Sequence, residues 1–209
     1  MRPRTLQAIE HAGLTQALIS LGRPGTAIGD DDAAPLELAA MVLGQLLYRE
    51  LRTDRNLTYS VNFRASTEDN WGLLGGSLWV HGDAIAQALD GVAACMRRLV
   101  RYFAVDTVAT HKALSALQDD LAINLLRRFD GVGGAVTAAR MAFLQGLPSH
   151  WLEQYEQRVH NISGTDLRRV LARYFAPSEL HVVVTAAPDK LRALKYTWPP
   201  ELPAKKPAP

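Results

Sequence analysis

The chain has 209 residues, 48% of them apolar, with 23 Lys and Arg against 21 Asp and Glu for a formal net charge of +2. That length suits one large domain with a substantial core, and the near-neutral balance leaves no electrostatic footprint for nucleic acid or an anionic membrane surface. A single cysteine, Cys95, excludes an internal disulfide framework, and no apolar run approaches the roughly 18–20 residues that a membrane-spanning helix needs.

Residues 1–13 read as an N-terminal extension. Glu10 and His11 interrupt any secretory apolar region, so a cytoplasmic location is expected. Residues 14–22 read as a strand closed by the turn signal Gly22-Arg23-Pro24-Gly25. Asp30, Asp31 and Asp32 offer helix N-caps and Pro35 suits a first turn. Over 36–51, Leu38, Met41, Val42 and Leu46 recur at helical spacing. Asn56 follows where a left-handed cap is expected, Asn being the usual substitute for Gly there. Residues 59–64 and 72–81 read as strands, the second with Gly75-Gly76 allowing a bulge or a close backbone approach.

Helices are expected over 83–100, with Asp83 near the start, and over 105–128, with Asp106 as cap. Cys95 falls in the first of them as a buried small hydrophobe. The glycines of 131–134 interrupt the pattern and separate two helices; no Gly-Lys-Ser/Thr follows, so they are not a phosphate loop. Helices resume over 135–145, 148–161 and 163–174, the last capped by Ser163 or Thr165. Residues 180–185, around Val182-Val183-Val184, form a buried strand, and the Pro- and Lys-rich 199–209 reads as a disordered tail. Trp71, Trp79, Trp151 and Trp198 are core or interface anchors. The expected fold is α+β: one domain over 14–198 with a mostly antiparallel sheet covered on one face by helices.

The most informative stretch is Leu51-Arg52-Thr53-Asp54-Arg55-Asn56-Leu57-Thr58-Tyr59-Ser60-Val61. Arg52 leaves the helix, the chain reverses, and Tyr59 enters the strand seven residues later. A guanidinium and a phenol then stand side by side at a helix–strand corner, where together they could hold a carbonyl oxygen. Arg52 brings a fixed charge on a planar fork and Tyr59 a compact hydroxyl donor. Both also have ordinary structural uses: the helix dipole favours arginine near a C-terminus, and tyrosine commonly begins a strand. Arg55 reads as a solvated charge.

The span 16–189 resembles the C-terminal, non-catalytic half of the pitrilysin/insulinase-type zinc metallopeptidases. Gln16-Ala17-Leu18-Ile19-Ser20-Leu21-Gly22 is similar to that half's opening strand. Leu46, Tyr48, Glu50, Leu51 and Arg52, with Asn56-Leu57-Thr58-Tyr59-Ser60-Val61, are similar to its signature corner. Leu114, Leu117, Leu121 and Leu125 resemble its long spanning helix; Ser163-Gly164-Thr165-Asp166-Leu167, Tyr174-Phe175 and Val182-Val183-Val184 resemble its closing helix and strand. The family usually has glycine in place of Asn56 and a small residue in place of Thr58. The resemblance implies a processing-peptidase-like half domain in which Arg52 and Tyr59 assist catalysis.

Family enzymes bind zinc through His-x-x-Glu-His on a helix, the histidines ligating metal and the Glu activating water. Here His11, His81, His111, His150, His160 and His181 form no such set, and Glu153 and Glu156 after His150 find no second histidine to complete one. No metal or cofactor site is therefore expected in this chain; zinc is expected in a homologous partner subunit. The expected function is that of the non-zinc subunit of a two-chain peptidase maturing a peptide, with Arg52 and Tyr59 acting in trans on a peptide bound as an added strand. No nucleic-acid or membrane partner is expected, and a homodimer of the chain alone stays open. Two alternatives stand beside this: a catalytically inert peptide-binding or scaffolding protein of the same fold, and a domain excised from a longer enzyme.

Overall fold

The computed structural model describes residues 6–68 and 70–200. Apolar residues at every second position, such as Ala17, Ile19 and Leu21 or Leu74, Leu78 and Val80, give strands with one buried face. Five of them form one sheet: β1 (Leu6–Glu10), β2 (Gln16–Pro24), β3 (Thr58–Thr67), β4 (Gly72–His81) and β5 (His181–Ala186). Their spatial order is β1-β5-β2-β4-β3. The β5–β2, β2–β4 and β4–β3 pairs are antiparallel and β1–β5 is parallel, so the sheet is mixed although mostly antiparallel.

The helices are α1 (Ala33–Leu47), α2 (Ile85–Phe103), α3 (Val108–Arg128), α4 (Gly131–Leu144), α5 (Trp151–His160), α6 (Gly164–Tyr174) and α7 (Pro188–Ala193). α1 is apolar except for Glu37 and Gln45 and is the hub, with Leu36, Leu38, Leu43 and Leu47 fully buried between β3 and helices α2, α3, α5 and α6. α3 is tied to the end of α5 by the buried Gln118 amide. Its two N–H groups are shared among the carbonyls of Val159, His160 and Ile162, at 3.1, 2.7 and 3.1 Å. The helices cover one face of the sheet. The other carries Leu18, Trp79, Val183 and Ile9, half-buried to exposed.

Several local expectations change. β1 adds an edge strand within the stretch read as an extension, and α7 was not expected. The chain does not turn at Gly22; β2 runs on to Pro24, opposite Leu73. Gly75-Gly76 carries no bulge but is a close approach, since a Cβ on either would collide with the Leu21 or Asn62 carbonyl of a neighbouring strand. Asp32 sits at the α1 N-cap without capping it, because its carboxylate is turned to Arg169 and Arg173, each at 2.9 Å. Asp106 likewise pairs with His111, leaving Thr107 to cap α3 in a capping box with Thr110. Asp83 bonds Lys190 at 2.8 Å. Ser163 caps α6 through a capping box with Asp166, as expected. Residues 131–134 do not break a helix but begin one. The Asp130 carboxylate caps the Gly131 amide at 2.8 Å, and Gly134 is needed because a side chain there would strike the Phe129 backbone. Residues 201–209 of the expected tail lie outside the described residues; Pro200 is held by Arg97 at 2.8 Å.

Candidate functional site

The corner is built from a buried anchor outward. Past Leu47 the helix widens into a π-helical turn, Tyr48–Asp54, a feature often found at functional sites. Leu51 at its centre is fully buried against Gly91 of α2, where any side chain would collide with the leucine. With Leu51 fixed, the next residue, Arg52, emerges half-buried at the surface. Arg55 is not merely solvated: Glu50 clamps it at 2.6 Å and Arg98 at 3.7 Å. Asn56 takes φ 51°, the left-handed reversal expected of it, and Leu57 donates its amide to the Leu51 carbonyl at 2.7 Å.

The strand then begins with a bulge. Thr58 pairs with Val80 and Ser60 with Trp79, so Tyr59 is an extra residue in β3. Without that insertion Tyr59 would share the inward parity of Val61, Phe63 and Ala65 and lie in the core. Thr58 goes inward instead, 2% exposed, while Tyr59 is 57% exposed. The Thr58 hydroxyl holds the kink: its Oγ1 lies 2.6 Å from the Trp79 carbonyl oxygen and 2.8 Å from that of Ser60, and accepts the Ser60 amide at 3.3 Å.

The structure brings the two expected residues together. The Arg52 guanidinium carbon lies 5.1 Å from the Tyr59 ring centroid, in the range of a cation–π contact. Arg52 also donates to Asn56 Oδ1 at 3.3 Å and to the Thr58 carbonyl at 3.4 Å. A third residue joins them. His81 on β4 meets the Tyr59 ring edge-on at 5.8 Å and 68°. Nothing near His81 in the sequence announces this; only the β3–β4 register does. His81 alternates with Trp79, so the corner lies at the margin of the uncovered sheet face.

Chemically the corner offers a cation, Arg52, and one phenolic hydroxyl, Tyr59, groups of the kind suited to an oxygen that carries or gains negative charge. Among the described residues no group of three or more His, Cys, Asp or Glu side chains could hold a metal ion. His150 bonds Gln154 at 2.8 Å and His160 faces Glu156 at 4.0 Å. Cys95 is buried, and burial, with Glu50 nearby, pushes its thiol up to about 11, away from nucleophile chemistry.

A family model described as the peptidase M16 inactive domain matches residues 4–114. The chain belongs to this family. The resemblance of the corner and its flanking elements to a non-catalytic peptidase half thus holds. A peptidase M16 inactive domain from Pseudomonas fluorescens shares the fold at TM-score 0.70 and 18% identity, over 87% of this chain and 43% of that one. A protease from Helicobacter pylori gives 0.72 and 16%, over 86% and 43%. A chain of Complex III2 from Candida albicans gives 0.71 and 11%, over 89% and 46%. The M16 inactive domain described here therefore spans less than half the length of each of these chains. No curated protein matches it. Among the described residues no helix is long and apolar enough to cross a membrane.

Proposed function

We propose that this M16 inactive domain is the non-zinc subunit of a heteromeric zinc metallopeptidase, and that Arg52 and Tyr59 serve the reaction in trans. The observation that supports the reading is a rigidly built corner that holds the Arg52 guanidinium 5.1 Å from the Tyr59 ring centroid and yet is open to solvent. The buried Leu51, the left-handed Asn56 and the Thr58-pinned bulge all fix its geometry. Preorganised donors contribute about 2.7–4 kcal/mol to a transition state only where water is excluded. With Tyr59 57% exposed, that exclusion has to come from a second surface. A partner carrying His-x-x-Glu-His supplies it, together with the zinc that activates water. Arg52 and Tyr59 then orient the scissile carbonyl and stabilise the tetrahedral intermediate. The uncovered sheet face, with Trp79 37% and Ile9 51% exposed, is the surface turned towards that partner across the cleft. The substrate is a peptide undergoing maturation, and the location is cytoplasmic, consistent with a lone buried thiol at Cys95.

The test is zinc content and peptidase activity of the chain, alone and mixed with a chain carrying the zinc motif. Alone it binds no zinc and cleaves nothing; the mixture cleaves. Stoichiometric zinc or cleavage by the isolated chain would overturn the assignment.

A second reading, an inert peptide-binding or scaffolding protein of the same fold, draws on the likeness to the chain of Complex III2. Retention of a preorganised Arg52–Tyr59 pair weighs against it. Peptide binding without hydrolysis in the presence of the zinc chain would favour it.

A further inference from the structure

α2 and α3 are joined by the short turn 104–107, yet both pack against α1 and hardly against each other. Between them lies an apolar groove of about 430 Å³, within the range of about 300–1,000 Å³ usual for small-molecule sites. Residues one turn apart on three helices converge on it. Val42 and Leu46 of α1 form the floor, and Leu99 and Phe103 of α2 form one wall. Ala113 and Leu117 of α3 form the other, the alanine leaving space that a larger side chain would fill. Arg52, Tyr59 and His81 of the corner do not line this groove.

The lip of the groove is charged. Among the described residues that line it, Arg98 alone carries a charge. One turn further along α2, Tyr102, 47% exposed, sets a phenolic hydroxyl on the same ridge. Arg98 is held loosely: its guanidinium lies 3.7 Å from Glu50, whose carboxylate is already bonded to Arg55 at 2.6 Å. Two guanidiniums share one carboxylate there, so this cluster carries one positive charge more than its acid balances. A peptide laid along the groove would press its amide groups against apolar walls without partners. A run of methylenes ending in a carboxylate meets both features, the apolar walls and the surplus cation.

We infer that the groove binds a medium-chain fatty acid. Its alkyl chain lies between α2 and α3 on the floor of α1, and its carboxylate pairs with Arg98 while the Tyr102 hydroxyl donates to it. Burial of methylenes gives affinity, and the charge at the lip selects acids over neutral chains. The site uses none of the corner's residues and stands or falls apart from the peptidase reading.

The probes are hexanoate, octanoate and decanoate, with decanol, titrated calorimetrically into the full chain. Binding saturates at one molecule per chain and tightens about tenfold for each two carbons added, a buried CH2 being worth about 0.8 kcal/mol. Decanoate binds about fivefold more tightly than decanol, and Arg98→Gln removes that difference while leaving decanol within about twofold. Arg98 is 55% exposed, so this variant leaves the core untouched. Ala113→Phe fills the groove and weakens both ligands at least about tenfold. Phe143→Ser, at an apolar residue of α4 that is 86% exposed, changes neither. Absence of saturable binding, no dependence on chain length, indifference to Ala113→Phe, or an equal loss in Phe143→Ser would overturn the proposal. Equal binding of decanoate and decanol would also overturn it, marking instead a purely apolar seat for a partner's side chain.

Discussion

Replacing Thr58 with valine tests what sets the position of Tyr59. The side chain is 2% exposed and nearly isosteric with valine, so the change removes a hydroxyl with little change of volume. Lost with it are a hydrogen bond at 2.6 Å to the Trp79 carbonyl, a second acceptor contact at 2.8 Å and the longer bond from the Ser60 amide at 3.3 Å. One proton cannot serve both carbonyls fully, so the loss is about one good bond and one weak one, plus backbone groups left short of partners. Net values of about 0.5–1.5 kcal/mol per bond, with about 1–3 kcal/mol for a stranded buried group, place the loss at about 2–3 kcal/mol. The extra buried methyl returns about 0.8 kcal/mol. Thr58→Val is therefore expected to destabilise the chain by about 1–2 kcal/mol, or roughly 2–8 °C in melting temperature for a chain of this size. Thr58→Ser, which keeps the hydroxyl, stays within about 1 kcal/mol. Urea unfolding with thermal melts measures both. A neutral or stabilising Thr58→Val would refute the claim that this hydroxyl pins the bulge.

Asp32, 6% exposed and accepting from Arg169, Arg173 and the Tyr174 hydroxyl, ties α1 to α6; Asp32→Ala is expected to lower stability by about 1.5–3 kcal/mol in urea unfolding. Cys95, with its thiol raised to about 11 by burial, should resist iodoacetamide at pH 8 in the native state and react at once in denaturant, as mass spectrometry would show. Tyr155 is held well above its usual 10, first by burial and then by Glu37, and Tyr196 is raised by burial and Asp90. Raised groups contribute stability that is complete below the unfolded value near 10 and lost as pH climbs towards the folded one. Native stability should therefore fall above about pH 10 and fall less in Tyr155→Phe measured relative to its own neutral-pH stability, with phenolate absorbance following unfolding.

Much of the fold was legible because its signals are local. The helical run ending at Leu51, the reversal at Asn56 and the strand starting near Tyr59 each follow from residues within a turn or two of one another. That is why the sequence alone places Arg52 beside Tyr59, whose ring centroid lies 5.1 Å from the guanidinium carbon. What escaped depends on partners distant in the chain. β1 is five mostly exposed residues whose strand character comes from pairing Leu6 with Val182. The bulge needs the Thr58 hydroxyl to find Trp79 across the hairpin, and His81 reaches Tyr59 only through the same register. Asp32 and Asp106 look like caps to a local reading, but Arg169, Arg173 and His111 claim their carboxylates. The π-helical turn has no composition of its own. It arises because Leu51 must reach the gap that Gly91 leaves in α2 while the chain still turns at Asn56.

The central claim is that Arg52 and Tyr59 act on a substrate activated by another chain. Its most direct test is kcat of the mixture with the zinc-motif chain, comparing Arg52→Ala and Tyr59→Phe with the parent, after titration confirms that each variant still forms the complex. The account predicts that each substitution lowers kcat by about 10²–10³, the usual effect of removing one oxyanion donor, with complex formation intact. A fully active Arg52→Ala complex would contradict it and leave the corner a structural turn.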